Sequence, residues 1–378
     1  MAGIYIHIPF CKQRCLYCAF YSSTLHSKQQ EYCDALCREI IMRRNYIIGI
    51  IDTVYFGGGT PSTLTREQLQ KILGTIKENY RLSPSAEITI EANPDDLTPE
   101  YLATLRSLSF NRLSMGIQSF DDAQLKAIGR RHTAERARQA VKDARTAGFE
   151  NISIDLMFAL PSSTSAQWQE SIKQAIELRP THISAYNLTY EEETPLYRAL
   201  QQGKIEAVDE EENLKQFEIL IEQLAAAGYR HYEISNFALP GYESRHNSSY
   251  WHDIPYLGCG AAAHSYNGES RSWNISDIKT YIESINSGAP FSEVEQLTTA
   301  EQYNDAILTR LRTADGVPSD WMRKKFGDKL TDYMFRNAAP HIAAGRLKED
   351  NGILSLTREG LFISDAIIRD LKIGRAHV

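Results

Sequence analysis

The chain has 378 residues, of which 42% are hydrophobic and 24% charged, and its formal net charge at pH 7 is −7. That length suits one large core or two domains of an ordinary globular protein, and the acidic surplus speaks against broad electrostatic attraction to nucleic acid. No apolar run is long enough to cross a membrane, residues 1–10 lack the basic start and cleavage site of a secretory signal, and six cysteines with three clustered fit a reducing cytoplasm better than a disulfide scaffold.

Residues 4–8 form a short apolar strand that runs into Cys11, Cys15 and Cys18 at spacing C-x3-C-x2-C. Three thiolates so placed suit three irons of a [4Fe–4S] cubane and leave one iron for a small ligand. A zinc site would need a fourth protein ligand; His7 is the nearest, and strand alternation turns it inward. Disulfides would leave one of the three cysteines unpaired. Residues 28–44 have helical spacing and carry Cys33 and Cys37 four apart, which reads as a pair of buried structural thiols.

The next strand, 52–56, runs into Gly57, Gly58 and Gly59, where backbone groups lie bare for close approach. The run matches neither G-x-G-x-x-G nor a Walker loop, so a tight turn, a phosphate nest or a seat for a ligand's amino or carboxylate group all remain open. Thr65 and Gln68 form a capping box for a helix reaching about residue 80. Strand 87–91 ends at Glu91, strand 112–118 at Gln118, and strand 151–158 carries Asp155; a helix capped by Thr98 and helices at 121–129, 134–148 and 165–178 alternate with them, and strand 182–188 follows. Six strand–helix units in sequence imply parallel strands with right-handed crossovers: a partial (β/α)6 barrel, with chemistry at the C-terminal strand ends. Glu91 could accept a bond from a ribose hydroxyl or an ammonium, and Gln118, Arg130 and Asp155 could add polar contacts.

Glu191 to Glu193 read as a solvated loop. Beyond it come an amphipathic helix at 209–228, a strand at 231–234, the segment Arg245 to Trp251, and a Gly/Ala-rich stretch from Tyr256 to Tyr266. Helices at 318–326 and 328–344, a strand at 352–356 and a helix at 357–371 suggest a C-terminal α/β appendage of winged-helix type, suited to protein contact or a lid rather than DNA. The expected division is a barrel domain of residues 1–240 and a C-terminal domain of 241–378.

The ordered set Y-I-H-I-P-F-C-x3-C-x2-C, Y-F-G-G-G-T-P, E-A-N-P, R-L-S-M-G-I-Q-S-F, I-S-I-D-L-M-F-A-L-P and H-I-S-A-Y closely resembles the radical S-adenosylmethionine (SAM) family related to oxygen-independent coproporphyrinogen III oxidase. The resemblance implies that Cys11, Cys15 and Cys18 hold a [4Fe–4S] cluster and that SAM chelates its open iron. It puts Tyr5, Gly58, Gly59, Thr60, Glu91, Gln118, Arg130 and Asp155 on SAM-contacting positions, and implies cleavage of SAM to methionine and a 5′-deoxyadenosyl radical.

Two branches of that family differ in three places. The oxidases carry a fourth cysteine where Phe20 stands, and an N-terminal extension for which Cys11 leaves no room. The motif H-N-x2-Y-W, here His246, Asn247, Tyr250 and Trp251, is typical of the haem chaperone (HemW) branch. That branch implies haem as cargo, haem-accepting apoproteins as partners with membrane-associated respiratory enzymes among them, and a cytoplasmic protein that visits the membrane surface during transfer. Imidazole is a standard haem ligand, and Tyr250 and Trp251 could line a porphyrin; His264 and Cys259 are further candidate ligands. The competing classes are coproporphyrinogen III decarboxylation, which the missing parts disfavour, and a radical SAM methyltransferase or cyclopropanase.

Overall fold

The computed structural model describes residues 2–374. Twelve strands make its main sheet: β1 (Gly3–Ile8), β2 (Ile50–Gly58), β3 (Arg81–Ala92), β4 (Arg112–Gln118), β5 (Asn151–Phe158), β6 (His182–Asn187), β7 (Arg230–Glu233), β8 (Asn236–Ala238), β9 (Tyr256–Cys259), β10 (His264–Tyr266), β11 (Ser270–Asn274) and β12 (Ser292–Gln296). Their order is β12-β11-β10-β9-β1-β2-β3-β4-β5-β6-β8-β7. The six strands β1 to β6 pair with one another in parallel and β9 joins β1 in parallel as well, whereas β8 joins β6 antiparallel. Helices connect successive strands, as parallel pairing requires. Thr65 accepts from the Gln68 backbone while the Gln68 side chain returns the bond, so the expected capping box forms.

The two faces of the parallel strands are filled differently. Ile4, Ile6, Ile8, Val54, Phe56, Ile88, Ile90, Leu113, Met115, Ile152 and Ile154 pack against the helices in one continuous core. The alternate residues turn the other way, into the lumen, because strand side chains alternate. They are polar or aromatic: Tyr5, His7, Thr53, Tyr55, Glu87, Thr89, Glu91, Arg112, Ser114, Ser153, Asp155 and His182.

Beyond β8 the chain first extends the main sheet. Strands β9 to β12 continue the barrel sheet, and Leu257, Cys259, Tyr281, Ile282 and Ile285 belong to its core. The division expected at 240/241 therefore falls inside this sheet. A second core, with Tyr303, Ile307, Leu311, Met322, Met334, Leu354 and Ile368, lies wholly within residues 303–371. It carries a small antiparallel sheet of β13 (Val317–Pro318), β14 (Leu347–Asp350) and β15 (Ile353–Leu356). The two helices expected on either side of residue 327 are present: the run Ser319–Ala343 is interrupted at Gly327, whose φ of 80° and ψ of 173° are not helical. The single helix expected at 357–371 is instead two, Arg358–Leu361 and Ser364–Leu371. Among the described residues no helix is long and apolar enough to cross a membrane.

Candidate functional site

A cavity of about 550 Å³ opens at the C-terminal ends of the parallel strands. Cys11, Cys15 and Cys18 line one wall; Gly58, Gly59, Thr60, Glu91, Gln118, Arg130 and Asp155 line the rest. Residues from five separate strand ends thus meet in one place. Tyr5 is the exception. It sits lower in the lumen, does not line the cavity, and its hydroxyl meets His7 Nδ1 at 3.1 Å.

The cysteine loop is pinned at both ends. The Cys11 amide donates to the Ser23 carbonyl at 2.9 Å, the Ser23 amide to the Pro9 carbonyl at 2.6 Å, and the Leu16 amide to the Ile128 carbonyl at 3.1 Å. The Thr60 hydroxyl donates to Cys11 Sγ at 3.4 Å and Arg130 Nη1 to Cys15 Sγ at 3.3 Å. Burial pushes the Cys11 and Cys18 thiols up. All three are free thiols, as are Cys33, Cys37 and Cys259. Among the described residues no three His, Cys, Asp or Glu side chains could share a single metal ion; a cubane does not ask for that, since each thiolate takes a different iron. Three soft donors on one wall fit such a cluster, and Arg130 Nε, buried beside them with no acceptor among the described residues, fits an anionic group in the same space.

The opposite wall is polar and desolvated. Tyr55 donates its hydroxyl to Glu91 Oε1 at 2.8 Å, and the Gly58 amide donates to Glu91 Oε2 at 3.2 Å. Burial raises Glu91 to about 7, with the charge of Asp155 adding to it and the Tyr55 bond opposing it. Burial likewise raises Asp155 to about 6, opposed by Arg112, Ser114 and Arg130. The glycines are required by space: a Cβ on Gly58, whose φ is +107°, would meet the His7 ring at 2.5 Å, and one on Gly59 would meet the Ile8 carbonyl oxygen at 2.9 Å. A register shift between Gly116 and Gln118 re-aims the end of β4, and Gln118 turns into the cavity with φ 71°.

Sequence reasoning passed over Arg112. It is 1% exposed, the largest fully buried side chain, and its Nε and Nη1 have no hydrogen-bond partner among the described residues. Its charge opposes protonation of both Glu91 and Asp155. The signal was present: a cation at the first lumen-facing position of a strand whose other face, Leu113, Met115 and Ile117, is apolar. Tyr186, Asn93 and Met157, which also line the cavity, carried no signal beyond strand alternation.

His246 lies elsewhere, at the N-terminal end of the lumen. It is 0% exposed, its Nδ1 meets Thr53 Oγ1 at 2.8 Å and its Nε2 meets Tyr250 Oη at 2.8 Å. The ring stacks on Tyr55 at 5.0 Å. Both nitrogens are hydrogen-bonded and the ring is buried, so in this structure His246, the expected haem-iron ligand, forms a bridge between β2 and the helix Arg245–Trp251. Cys259 is also fully buried, in the apolar core. Cys33 and Cys37 are buried on the core face of their helix, and Glu191, Glu192 and Glu193 are exposed.

Family models place this geometry. The Radical SAM superfamily matches residues 5–175 and the HemN C-terminal domain matches residues 297–363. A Bacillus subtilis protein named Heme chaperone HemW is 37% identical over 377 residues, 97% of this chain and 98% of its own. The chain belongs to the HemW family. A second member, from Lactococcus lactis, is 36% identical over 85% of this chain and 84% of its own. The fold of the family extends to a solved structure, the coproporphyrinogen III oxidase HemN from Escherichia coli, described as a radical SAM enzyme: TM-score 0.85 over 98% of this chain and 90% of that one, at 24% identity. The HemN C-terminal match coincides with the second core, and the radical SAM match with β1 to β5 and the helices between them.

Proposed function

We propose that this chain binds haem and hands it to acceptor apoproteins, on a scaffold that holds a [4Fe–4S] cluster and SAM. The observation that carries this reading is similarity to haem chaperones along the whole chain rather than over the barrel alone. Cys11, Cys15 and Cys18 are the cluster's ligands, and SAM lies along Gly58, Gly59, Thr60 and Glu91, with Gln118, Arg130 and Asp155 completing the wall. When bound, cluster and SAM supply one-electron chemistry to this cavity. The chain's own part is to position: Glu91 is oriented by Tyr55 and the Gly58 amide, and Arg130 sets a cation against Cys15. The working division is a scaffold running to residue 296 and a C-terminal unit beyond it. Free thiols throughout suit a reducing compartment.

The alternative reading, oxidative decarboxylation of coproporphyrinogen III, is weaker. Phe20 stands where that branch has its fourth cysteine, and it is 73% exposed at the cavity wall. Anaerobic reconstitution followed by haemin in one vessel and coproporphyrinogen III in another separates the two. Haem uptake and its transfer to an apo-haemoprotein, without protoporphyrinogen formation, is the expected result. Protoporphyrinogen formation would overturn it.

A further inference from the structure

A second cavity, of about 310 Å³, lies where the sheet extension meets the C-terminal unit. Its size is near the lower end of ligand sites, which run roughly 300–1,000 Å³ and favour domain junctions. One wall is sheet: Tyr256 of β9, His264 and Tyr266 of β10, Arg271 of β11. Another is the end of the helix Arg245–Trp251, with Tyr250 and Trp251. The third is the C-terminal unit, with Arg310 and Trp321. The aromatic members of H-N-x2-Y-W and the separate candidate His264 thus meet in one place, and His246 stays behind in the lumen.

Most polar groups around this cavity already have partners. Asp305 is paired with Arg271 at 2.5 Å, Asp253 with Lys325 and with the Tyr266 hydroxyl, and the Tyr250 hydroxyl with His246. Two donors do not. Among the described residues Trp251 Nε1 is buried without an acceptor, and so is Arg310 Nε. Arg310 is only 8% exposed and its guanidinium lies 3.7 Å from the Trp321 ring centroid. A buried N–H left unmet carries the desolvation cost of that group with nothing in return, so a wall with two of them is built for an acceptor group. His264 is different again. Among the described residues neither ring nitrogen takes a hydrogen bond, and the ring borders Trp273 at 6.3 Å.

We infer that this cavity seats one edge of the haem, with His264 as the axial ligand and a propionate on Arg310 and Trp251, an assignment that rests on the haem-carrying role proposed above. The chemistry of each part matches. Burial and Arg271 lower the His264 pKa, which keeps a lone pair available at neutral pH. The phenols of Tyr250, Tyr256 and Tyr266 are pushed up by burial and are poor ligands as neutral groups. Indole and phenol rings offer flat apolar walls to a macrocycle. A cavity this small leaves much of the haem uncovered, as a carrier that must release its cargo requires.

Haemin titration of the full chain at neutral pH, read by absorption spectroscopy, tests this in two separable steps. A wild-type chain that binds no haemin ends the haem-carrying role itself. Given wild-type binding, His264→Ala should shift the Soret band and weaken affinity by roughly tenfold or more, with imidazole in solution restoring the band. His264→Met should give a different, methionine-type spectrum. Arg310→Gln should weaken haemin but not haemin dimethyl ester, which has no carboxylates. Thermal melts establish that each variant is folded. An unchanged spectrum and affinity in folded His264→Ala overturns the assignment of the ligand, and equal losses for haemin and its ester in Arg310→Gln overturn that of the propionate.

Discussion

The Gly58 amide and the Glu91 carboxylate face each other across β2 and β3 at 3.2 Å, and the other carboxylate oxygen takes the Tyr55 hydroxyl at 2.8 Å. Two donors hold Glu91 in one orientation, yet burial still raises it to about 7. In the unfolded chain Glu91 loses its proton near 4.5; in the folded chain it keeps it until about 7. The native state therefore binds the extra proton between those values, and stability falls as pH rises through that window. Glu91→Gln, which removes the ionisable group, should flatten this loss. Its melting temperature should gain on wild type from pH 5 to pH 8, by an amount equivalent to a few kcal/mol at about 1.36 kcal/mol per pKa unit. SAM affinity of the variant should fall while cluster content holds. A wild-type and variant difference that is flat in pH would refute the buried-acid assignment.

Arg112 is the counterweight to this acid pair. Its guanidinium is enclosed, Nε and Nη1 have no partner among the described residues, and the charges it moderates belong to Glu91 and Asp155. Arg112→Met keeps bulk and removes the cation. Losing one partner of a buried charge cluster costs about 3–5 kcal/mol, and here the cost should grow with pH because the two carboxylates then ionise without help. The pH midpoint of SAM binding should move upward. Melts at pH 5.5 and pH 8 that show the same loss would assign Arg112 to packing alone.

The three cysteines of the loop and the pair on the helix separate cleanly by surroundings. Cys11, Cys15 and Cys18 border the cavity, while Cys33 and Cys37 lie on the helix core face. Iron and sulfide analysis after anaerobic reconstitution should find the cluster lost in Cys11→Ala, Cys15→Ala and Cys18→Ala. It should be retained in Cys33→Ala and Cys37→Ala, which lose only packing, about 1 kcal/mol each. Full cluster content in Cys15→Ala would break the assignment.

Gly58 is fixed by shape. With φ at +107° and the His7 ring 2.5 Å from where a Cβ would stand, Gly58→Ala must either strain β2 or push out His7. Backbone strain of this kind costs about 1–3 kcal/mol. The variant should melt earlier and bind SAM weakly, whereas Gly74→Ala, in open space on a helix, should do neither. Equal behaviour of the two would show that the glycine run is a turn and nothing more.

The parts of this molecule that were readable in the sequence are those where local pattern and tertiary role agree. β1 to β6 announce themselves because one face is uniformly apolar, and cysteines, glycines and carboxylates at their ends are residue types whose chemistry is specific. β11 and β12 were not readable: Ser-Glu-Val-Glu-Gln pairs antiparallel at the rim of the sheet and buries almost nothing, so no alternation marks it. The break at Phe362 and Ile363 was hidden because apolar residues continue through it in the sequence. The surroundings of His246 are hidden for a further reason. Its sequence neighbours are aromatic, but what occupies its nitrogens, Thr53 and Tyr250, is set by a fold contact nearly two hundred residues long in the first case.

His246 supplies the last expectation. Burial and Arg112 hold its pKa down to about 3, so the folded chain keeps it neutral where the unfolded chain, near 6.5, takes up a proton. Stability is therefore whole above 6.5 and is lost as pH falls from there toward 3, opposite in sign to Glu91. One such group costs about 1.36 kcal/mol per pH unit inside the window, so about 2 kcal/mol between pH 6.5 and pH 5. His7 and His132, held to about 4 by burial, slope the same way. His246→Gln can still bond on two sides but cannot take up a proton. It should be less stable than wild type at pH 7.5, where the fit of the imidazole between Thr53 and Tyr250 is lost, and should close that gap by pH 5. Haem bound per folded molecule should stay unchanged, since the ring never meets the cargo. A variant that keeps wild-type melting at both pH values but loses its haem spectrum would reverse the assignment and return His246 to the haem site.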